Sequence, residues 1–302
     1  MKYIMAQPAV PRFEWEVKVA VYSLLKIKIP KEDIVVLFSR HEETVVEEIK
    51  KLGVSVHTYQ DERYDFEYIP SIKPYLMYRY LEEDASRENE TYFFMDSDVI
   101  VKEEPSVEGA EYTRYDQRIW YGSDCNGYLS YDYIIQCKNG QQILEDMAYI
   151  VGVSVEEIKL INSQNIGAQY IMTKPSKEYF HKVYIDSIKL WKYIKNKDTN
   201  YQKWCQEMIA TLWNMIFFEI MPRISDELEF TWATDSNIDW HENKIYHNAG
   251  VTEDMKDMFF KGDYINKDPF NEDFSHINKD KASYEYTKLI TEARDWLNES
   301  IK

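Results

Sequence analysis

The stretch Tyr92-Phe93-Phe94-Met95-Asp96-Ser97-Asp98-Val99-Ile100-Val101 decides how the rest of the chain is read. Apolar residues flank the two aspartates on both sides, and the run is short and rich in aromatic and β-branched side chains, so it reads as one buried strand. On a regular strand, residues two apart share a face, which sets Asp96 and Asp98 side by side. Two unpaired anions there repel each other and are costly to take out of water. A cation must sit with them, most simply a divalent metal at the carboxyl end of a central strand, where α/β sheets hold their ligands. The competing reading ends the strand at Met95 and makes Asp-Ser-Asp a turn. The apolar pattern resumes at once at Val99, which favours the single strand.

Working outward, the segment before this strand alternates apolar runs with amphipathic ones. Strands are expected over Lys2–Val10, Ile34–Phe38 and Val54–Tyr59, with helices over Phe13–Lys26 and Glu42–Leu52. That alternation is the pattern of an α/β fold with a Rossmann-like, mostly parallel central sheet flanked by helices. No Gly-x-Gly-x-x-Gly follows the first strand, which argues against a dinucleotide site. Lys73 stands between Pro70 and Pro74 at the start of a helix expected over Tyr75–Leu81. It is placed there to meet phosphate, or else is a solvated loop lysine.

Beyond the central strand, Glu108–Tyr133 reads as loops and short strands around Gly109, Gly122 and Gly127. Helices are expected over Ile143–Val151 and Val155–Ile161. A polar loop from Asn162 then enters a strand over Tyr170–Thr173. Asn165 and Gln169 suit hydroxyl-rich ligands and Gly167 permits close approach of the backbone, though such residues also make plain turns.

Helices follow over Lys177–Lys195 and Tyr201–Met221, the second ended by Pro222. Glu207 stands near its start among Trp204, Met208, Thr211 and Leu212. A buried glutamate has a partner or a task; the alternative is an exposed acid on the helix dipole. Short strands are expected over Phe230–Trp232 and Lys244–Tyr246, the latter leading into His247-Asn-Ala-Gly250. Paired with the aspartates, His247 is a second metal candidate, and the mixed donor set suits a first-row divalent ion better than calcium. An amphipathic helix over Ser283–Leu297 is expected to pack on the outside.

With 302 residues, 44% of them hydrophobic, the chain can bury one large α/β core. The net charge of −17 argues against a broad nucleic-acid footprint, leaving only a local basic patch. Cys125, Cys137 and Cys205 are odd in number and lack metal-ligand spacing, which predicts reduced thiols in a cytosolic protein. The apolar, uncharged run Met208–Phe218 is too short to span a bilayer, and the first residues lack a basic segment with a hydrophobic core. The expectation is a cytoplasmic protein with no membrane partner. Its 25 tyrosines suit stacking on bases or sugars, or half-buried surface positions.

Taken together, Asp96-x-Asp98 near residue 100, the polar loop around Gly167, Trp204-x-x-Glu207 and the late His247-x-x-Gly250 resemble the GT-A fold glycosyltransferases. Among these the chain looks like the retaining, metal-dependent enzymes, and more closely the group of hydroxyproline arabinosyltransferases and peptidyl-serine galactosyltransferases. Lys73-Pro74 and the Trp204–Met208 segment carry the closer match. The chain departs from some retaining relatives in lacking Lys-Pro-Trp after the late histidine. The likeness runs from Lys2 to Asp263, so a GT-A domain is expected over 1–263 and a helical extension over 264–302.

The resemblance implies transfer of a sugar from a nucleoside-diphosphate sugar, a UDP-sugar, to an acceptor hydroxyl with retention. It implies Mn2+ or Mg2+ held by Asp98 and His247, with Asp96 on the ion or the ribose. Glu207 is the implied catalytic residue, stabilising charge on the sugar ring or orienting the acceptor. Lys261 and Lys73 would face the leaving phosphates, and Asn165 and Gln169 the sugar hydroxyls. Gln7, Arg12, Ser97, Gly167 and Gly250 complete the donor-binding set.

Two other classes compete. Phosphatases of the haloacid dehalogenase type carry Asp-x-Asp near the N-terminus, usually with Thr or Val where this chain has Ile100, and here two strand-helix units come first. A non-catalytic carbohydrate-binding protein on the same fold would not need both aspartates and His247. The acceptor stays open among glycan, peptide and small molecule. The wealth of lysine, isoleucine and asparagine fits a bacterial or viral source acting in the cytoplasm, and viral relatives modify DNA bases, an acceptor that the net charge disfavours.

Overall fold

Ile34-Val-Val-Leu-Phe-Ser39 is buried along its whole length, as expected of a parallel strand covered on both faces. The computed structural model describes residues 1–106 and 118–300. Its strands are β1 (Lys2–Pro8), β2 (Ile34–Ser39), β3 (Ser55–Tyr59), β4 (Thr91–Met95), β5 (Val99–Val101), β6 (Arg118–Asp124), β7 (Ile166–Thr173), β8 (Ile220–Ile224), β9 (Phe230–Trp232) and β10 (Ile245–His247). The fold is mixed α/β with mostly parallel principal strands flanked by helices, as the alternation predicts. Among the described residues no helix is long and apolar enough to cross a membrane. All three cysteines are free and buried.

Contacts divide the chain into two units. The first takes its described residues from Tyr3–Thr58, Met95–Ser106 and Glu227–Lys302. In it the strands run in the order β3-β2-β1, with β1 and β2 parallel. A small second sheet has the order β5-β10-β9, β10 lying antiparallel to β5 and parallel to β9. The helix Pro11–Lys26 begins with proline, which has no N–H to leave unpaired, and carries Lys26 in its last turn. Its Trp15 and Val19 join Ile100, Tyr246, Phe259, Tyr286 and Ile290 in one hydrophobic cluster. Tyr286 and Ile290 belong to the helix Ala282–Ser300, which therefore forms one wall of this core and is not an outer addition.

The second unit takes its described residues from Met1–Lys2, Tyr59–Phe94 and Val107–Asp226. Its strands run β4-β7-β6-β8, with β7 antiparallel to both neighbours and β6 parallel to β8. Helices Ile72–Glu83, Gly140–Val151, Lys177–Ile194 and Gln206–Phe217 accompany them. Of the segment expected as loops over 108–133, residues 108–117, with Gly109, lie outside the described residues; from Arg118 it is β6 followed by the short helices Asn126–Leu129 and Tyr131–Gln136.

Three further expectations are corrected. The run Tyr92–Val101 is not one strand: β4 ends at Met95, Asp96-Ser97-Asp98 turns with the Val99 amide donating to the Asp96 carbonyl at 3.2 Å, and β5 enters a different sheet. The apolar residues after the aspartates are there because they pair with β10, not because β4 continues. The helix expected over Tyr201–Met221 is a turn of 3-10 helix, Lys203–Cys205, followed by Gln206–Phe217. It stops where Glu219 takes φ +56°, and Pro222 lies in the terminal strand β8, where a missing N–H is tolerated.

Finally, β7 starts at Ile166, so Gly167 and Gln169 are strand residues and not parts of a loop. A Cβ on Gly167 would fall 2.5 Å from both Cys125 Sγ and Met208 Cε. The glycine accommodates neighbouring side chains, and Gly167→Ala is expected to cost about 1–3 kcal/mol by overpacking, read from its melting curve. An unchanged melting temperature would show that Cys125 and Met208 give way freely.

Candidate active site

Because β5 and β10 pair antiparallel, His247 stands opposite Val99, next to the aspartate turn. The Asn248 amide donates to the Asp98 carbonyl at 3.0 Å and secures that juxtaposition. Asp96, Asp98 and His247 each offer one ligand atom, all within 4.8 Å of one another. His247 Nε2 lies 3.3 Å from Asp98 Oδ1 and 4.0 Å from Asp96 Oδ2. The carboxylates are thus brought to the histidine by a turn and a sheet register, not by the pleat of one strand.

Other groups complete the setting in the first unit. Lys261 pairs with Asp98 Oδ2. Burial alone would raise the Asp98 carboxyl, but the positive charge of Lys261 and the contact with His247 outweigh it and hold it well below the ordinary carboxylate range. The imidazole packs against Phe230, with centroids 5.4 Å apart, and against Trp232, nearly parallel at 6.3 Å. Its Nδ1 is buried without a hydrogen-bond partner among the described residues, so ring packing takes over the orienting role usually played by a hydrogen bond. Gly250 has φ +89°, a left-handed backbone that side chains rarely adopt, which explains a glycine in the returning turn.

Two carboxylates and an imidazole turned toward one another fit a first-row divalent ion, with Lys261 as the protein's own counter-cation on Asp98. His247→Ala is expected to raise the manganese needed for half-maximal activity, with part of the rate restored by excess metal, because both aspartates remain. A histidine of purely structural value would instead lower the melting temperature and leave the manganese titration unshifted.

Sequence reasoning missed Glu16. It is 1% exposed; its Oε2 accepts from Ser97 Oγ at 2.7 Å and its Oε1 from Arg12 Nε at 2.9 Å. Burial and the nearby charge of Asp98 push its carboxyl above the ordinary value, against the pull of Arg12. Arg12 and Ser97, both expected to touch the donor, thus engage Glu16. The only sequence signal was an acid between Trp15 and Val17, four residues after Arg12. Gln7 is buried on β1 and donates to the Leu37 carbonyl at 3.3 Å.

A separate cluster lies in the second unit. Glu207 is 3% exposed, with Lys73 Nζ at 3.2 Å from Oε2 and Thr211 Oγ1 at 3.3 Å from Oε1. Its amide donates to the Tyr68 hydroxyl at 2.8 Å, and that hydroxyl donates to the Trp204 carbonyl at 2.6 Å. Burial pushes the Tyr170 and Tyr179 hydroxyls well above their usual range and the charge of Glu207 adds to it. The glutamate is therefore the buried, partnered kind, and Lys73, expected at phosphate or in solvent, is its partner. Asn165 Nδ2 donates to Asn126 Oδ1 at 2.7 Å and to the Asn162 carbonyl at 2.8 Å, bracing the loop before β7. Gln169 is buried in β7.

No protein-family profile and no curated protein sequence matches the chain. Solved structures do. The apo structure of the bifunctional glycosyltransferase WbbM aligns with a TM-score of 0.52 at 12% identity, over 99% of this chain and 51% of that one, so the chain spans about half of WbbM's length. The galactosyltransferase LgtC, solved with donor and acceptor sugar analogues, gives 0.48 at 11% over 97% and 96%. GlyE of Streptococcus pneumoniae in its apo form gives 0.47 at 11% over 100% and 64%. At these identities the likeness is one of fold, the mixed α/β fold that the chain shares with WbbM.

Proposed function

We propose that the chain is a metal-dependent glycosyltransferase that moves a sugar from a nucleoside-diphosphate sugar, most simply a UDP-sugar, to an acceptor hydroxyl with retention of configuration. The observation that carries this is the convergence of Asp96, Asp98 and His247, from a turn and a neighbouring strand, in a chain of this fold. Those residues would hold Mn2+ or Mg2+, which when bound neutralises charge on the departing diphosphate.

The protein's own groups supply the rest. Lys261, now on Asp98, has the charge and side-chain length to turn to a phosphate oxygen once Asp98 is otherwise engaged. Glu207 supplies a fixed negative charge for the positive charge that develops on the sugar, or an acceptor for the incoming hydroxyl, and Lys73 and Thr211 fix its position. The leaving phosphate takes the acceptor's proton, so no separate base is assigned. Gln7, Arg12, Ser97 and Gly250 are assigned to the donor side, and Asn165, Gly167 and Gln169 to the sugar side. Residues 1–263 would be the transferase domain and 264–302 an extension whose helix packs into that domain's own core, working in the cytoplasm on a glycan, peptide or small-molecule acceptor.

A panel of nucleotide-sugars, incubated with and without manganese and followed by release of nucleoside diphosphate, tests this reading. Manganese-dependent release from one donor supports it. Release of inorganic phosphate from simple phosphate esters, with every nucleotide-sugar left intact, would replace it with a phosphatase.

A further inference from the structure

Glu16 pairs with Arg12 at i,i+4 on its own helix and also reaches beyond that helix. A buried carboxylate is costly unless charge and hydrogen bonds compensate it, and here the compensation comes from Arg12 one turn earlier and from Ser97, 81 positions away. Ser97 is the residue between the two aspartates, and it is itself buried. Its hydroxyl donates to the carboxylate, a charge-assisted hydrogen bond that fixes the turn from which both Asp96 and Asp98 project. The preceding residue does the matching task on the other limb: Trp15 Nε1 donates to the Tyr264 carbonyl at 3.0 Å, holding the 3-10 turn Lys261–Tyr264 that carries the lysine on Asp98. Two consecutive residues of one helix thus hold the aspartate turn and the lysine turn.

We infer that Glu16 is a positioning residue of the divalent-ion site: through Ser97 it sets the separation and direction of Asp96 and Asp98. This rests on the reading of Asp96, Asp98 and His247 as metal ligands. Groups that orient metal ligands typically account for 10- to 100-fold in affinity, and Glu16 falls in that class. Glutamine keeps one acceptor oxygen for Ser97 and gives up the one on Arg12, whose side chain is partly exposed and can hydrate, so glutamine should serve where alanine does not.

The test is manganese binding to the full chain without donor, followed by the electron paramagnetic resonance signal of free Mn2+, beside melting curves taken in chelator. Glu16→Ala should weaken manganese binding about 10- to 100-fold. Ser97→Ala should do the same, and Glu16→Gln should stay within about threefold of the unsubstituted protein. If Glu16→Ala does not fold, Ser97→Ala and Glu16→Gln decide alone. Manganese affinity unchanged in Ser97→Ala overturns the proposal, as does a loss in Glu16→Gln as large as in Ser97→Ala, which would assign the effect to charge. Asp98→Asn run alongside separates the two levels of the argument. If it binds manganese as the unsubstituted protein does, the metal reading itself fails; if it alone loses the ion, only the role of Glu16 fails.

Discussion

Asp98→Asn is expected to lose metal-dependent sugar transfer by about 10³-fold or more, because it removes the ligand that faces both His247 and Lys261. The same change should lower stability. Repulsion between two neighbouring anions on a strand would predict the reverse, a fold unchanged or slightly more stable without one of them. The ion pair changes the sign: Asp98 is buried, and its loss leaves Lys261 beside a neutral amide. Removing one member of a buried pair costs about 3–5 kcal/mol, and with the lysine side chain 27% exposed and able to hydrate, about 1–3 kcal/mol is expected. A melting curve in chelator measures the second effect and a manganese titration of turnover the first. Full turnover at saturating manganese would remove Asp98 from the mechanism.

Glu207→Gln should lower turnover about 10²- to 10³-fold while donor affinity moves by no more than about threefold, since a fixed charge acts most strongly as charge develops on the sugar. Glutamine keeps the shape and an acceptor for Thr211 but leaves Lys73 beside a neutral amide, so about 1–3 kcal/mol of stability should be lost, as for Asp98→Asn. Lys73→Met is the informative companion. It leaves the buried carboxylate without its ammonium, and about 1–3 kcal/mol of stability should go with it. If donor affinity falls in Glu207→Gln as much as turnover does, the residue belongs to ground-state binding.

Periodicity made the alternation of strands and helices legible, and with it the α/β class. It could not show that Tyr92–Val101 is two strands of different sheets, because an apolar run with a polar break looks the same whether the chain continues or changes partner. The Asp96, Asp98 and His247 set was legible from residue type and order, though the stated geometry was wrong: a turn, not a pleat, joins the carboxylates. The buried state of Glu207 was legible from its apolar neighbours, but not its pairing with Lys73 from another helix. The role of Glu16 was not legible from its one signal, an acid between Trp15 and Val17. An acid on a helix face reads as solvated unless the residue covering it is known, and here that residue is Ser97 in a distant turn. Pro222 misled for a related reason, since proline marks a helix end and an edge strand equally well.

The contact between Trp15 and the Tyr264 carbonyl spans 249 positions, and that between Lys26 and Glu292 spans 266. A ribosome delivers the helix Pro11–Lys26 early, and the cluster around Trp15 and Val19 then stays incomplete until Tyr246, Phe259 and the helix Ala282–Ser300 have been made. Contacts of such separation make folding slow and leave partly folded chains prone to aggregate. For this protein, translation itself orders events: the aspartates are synthesised long before the histidine, the lysine and the tyrosine wall that fix them in place. A nascent chain halted before residue 247 would have the acidic half of the site and no means of completing it.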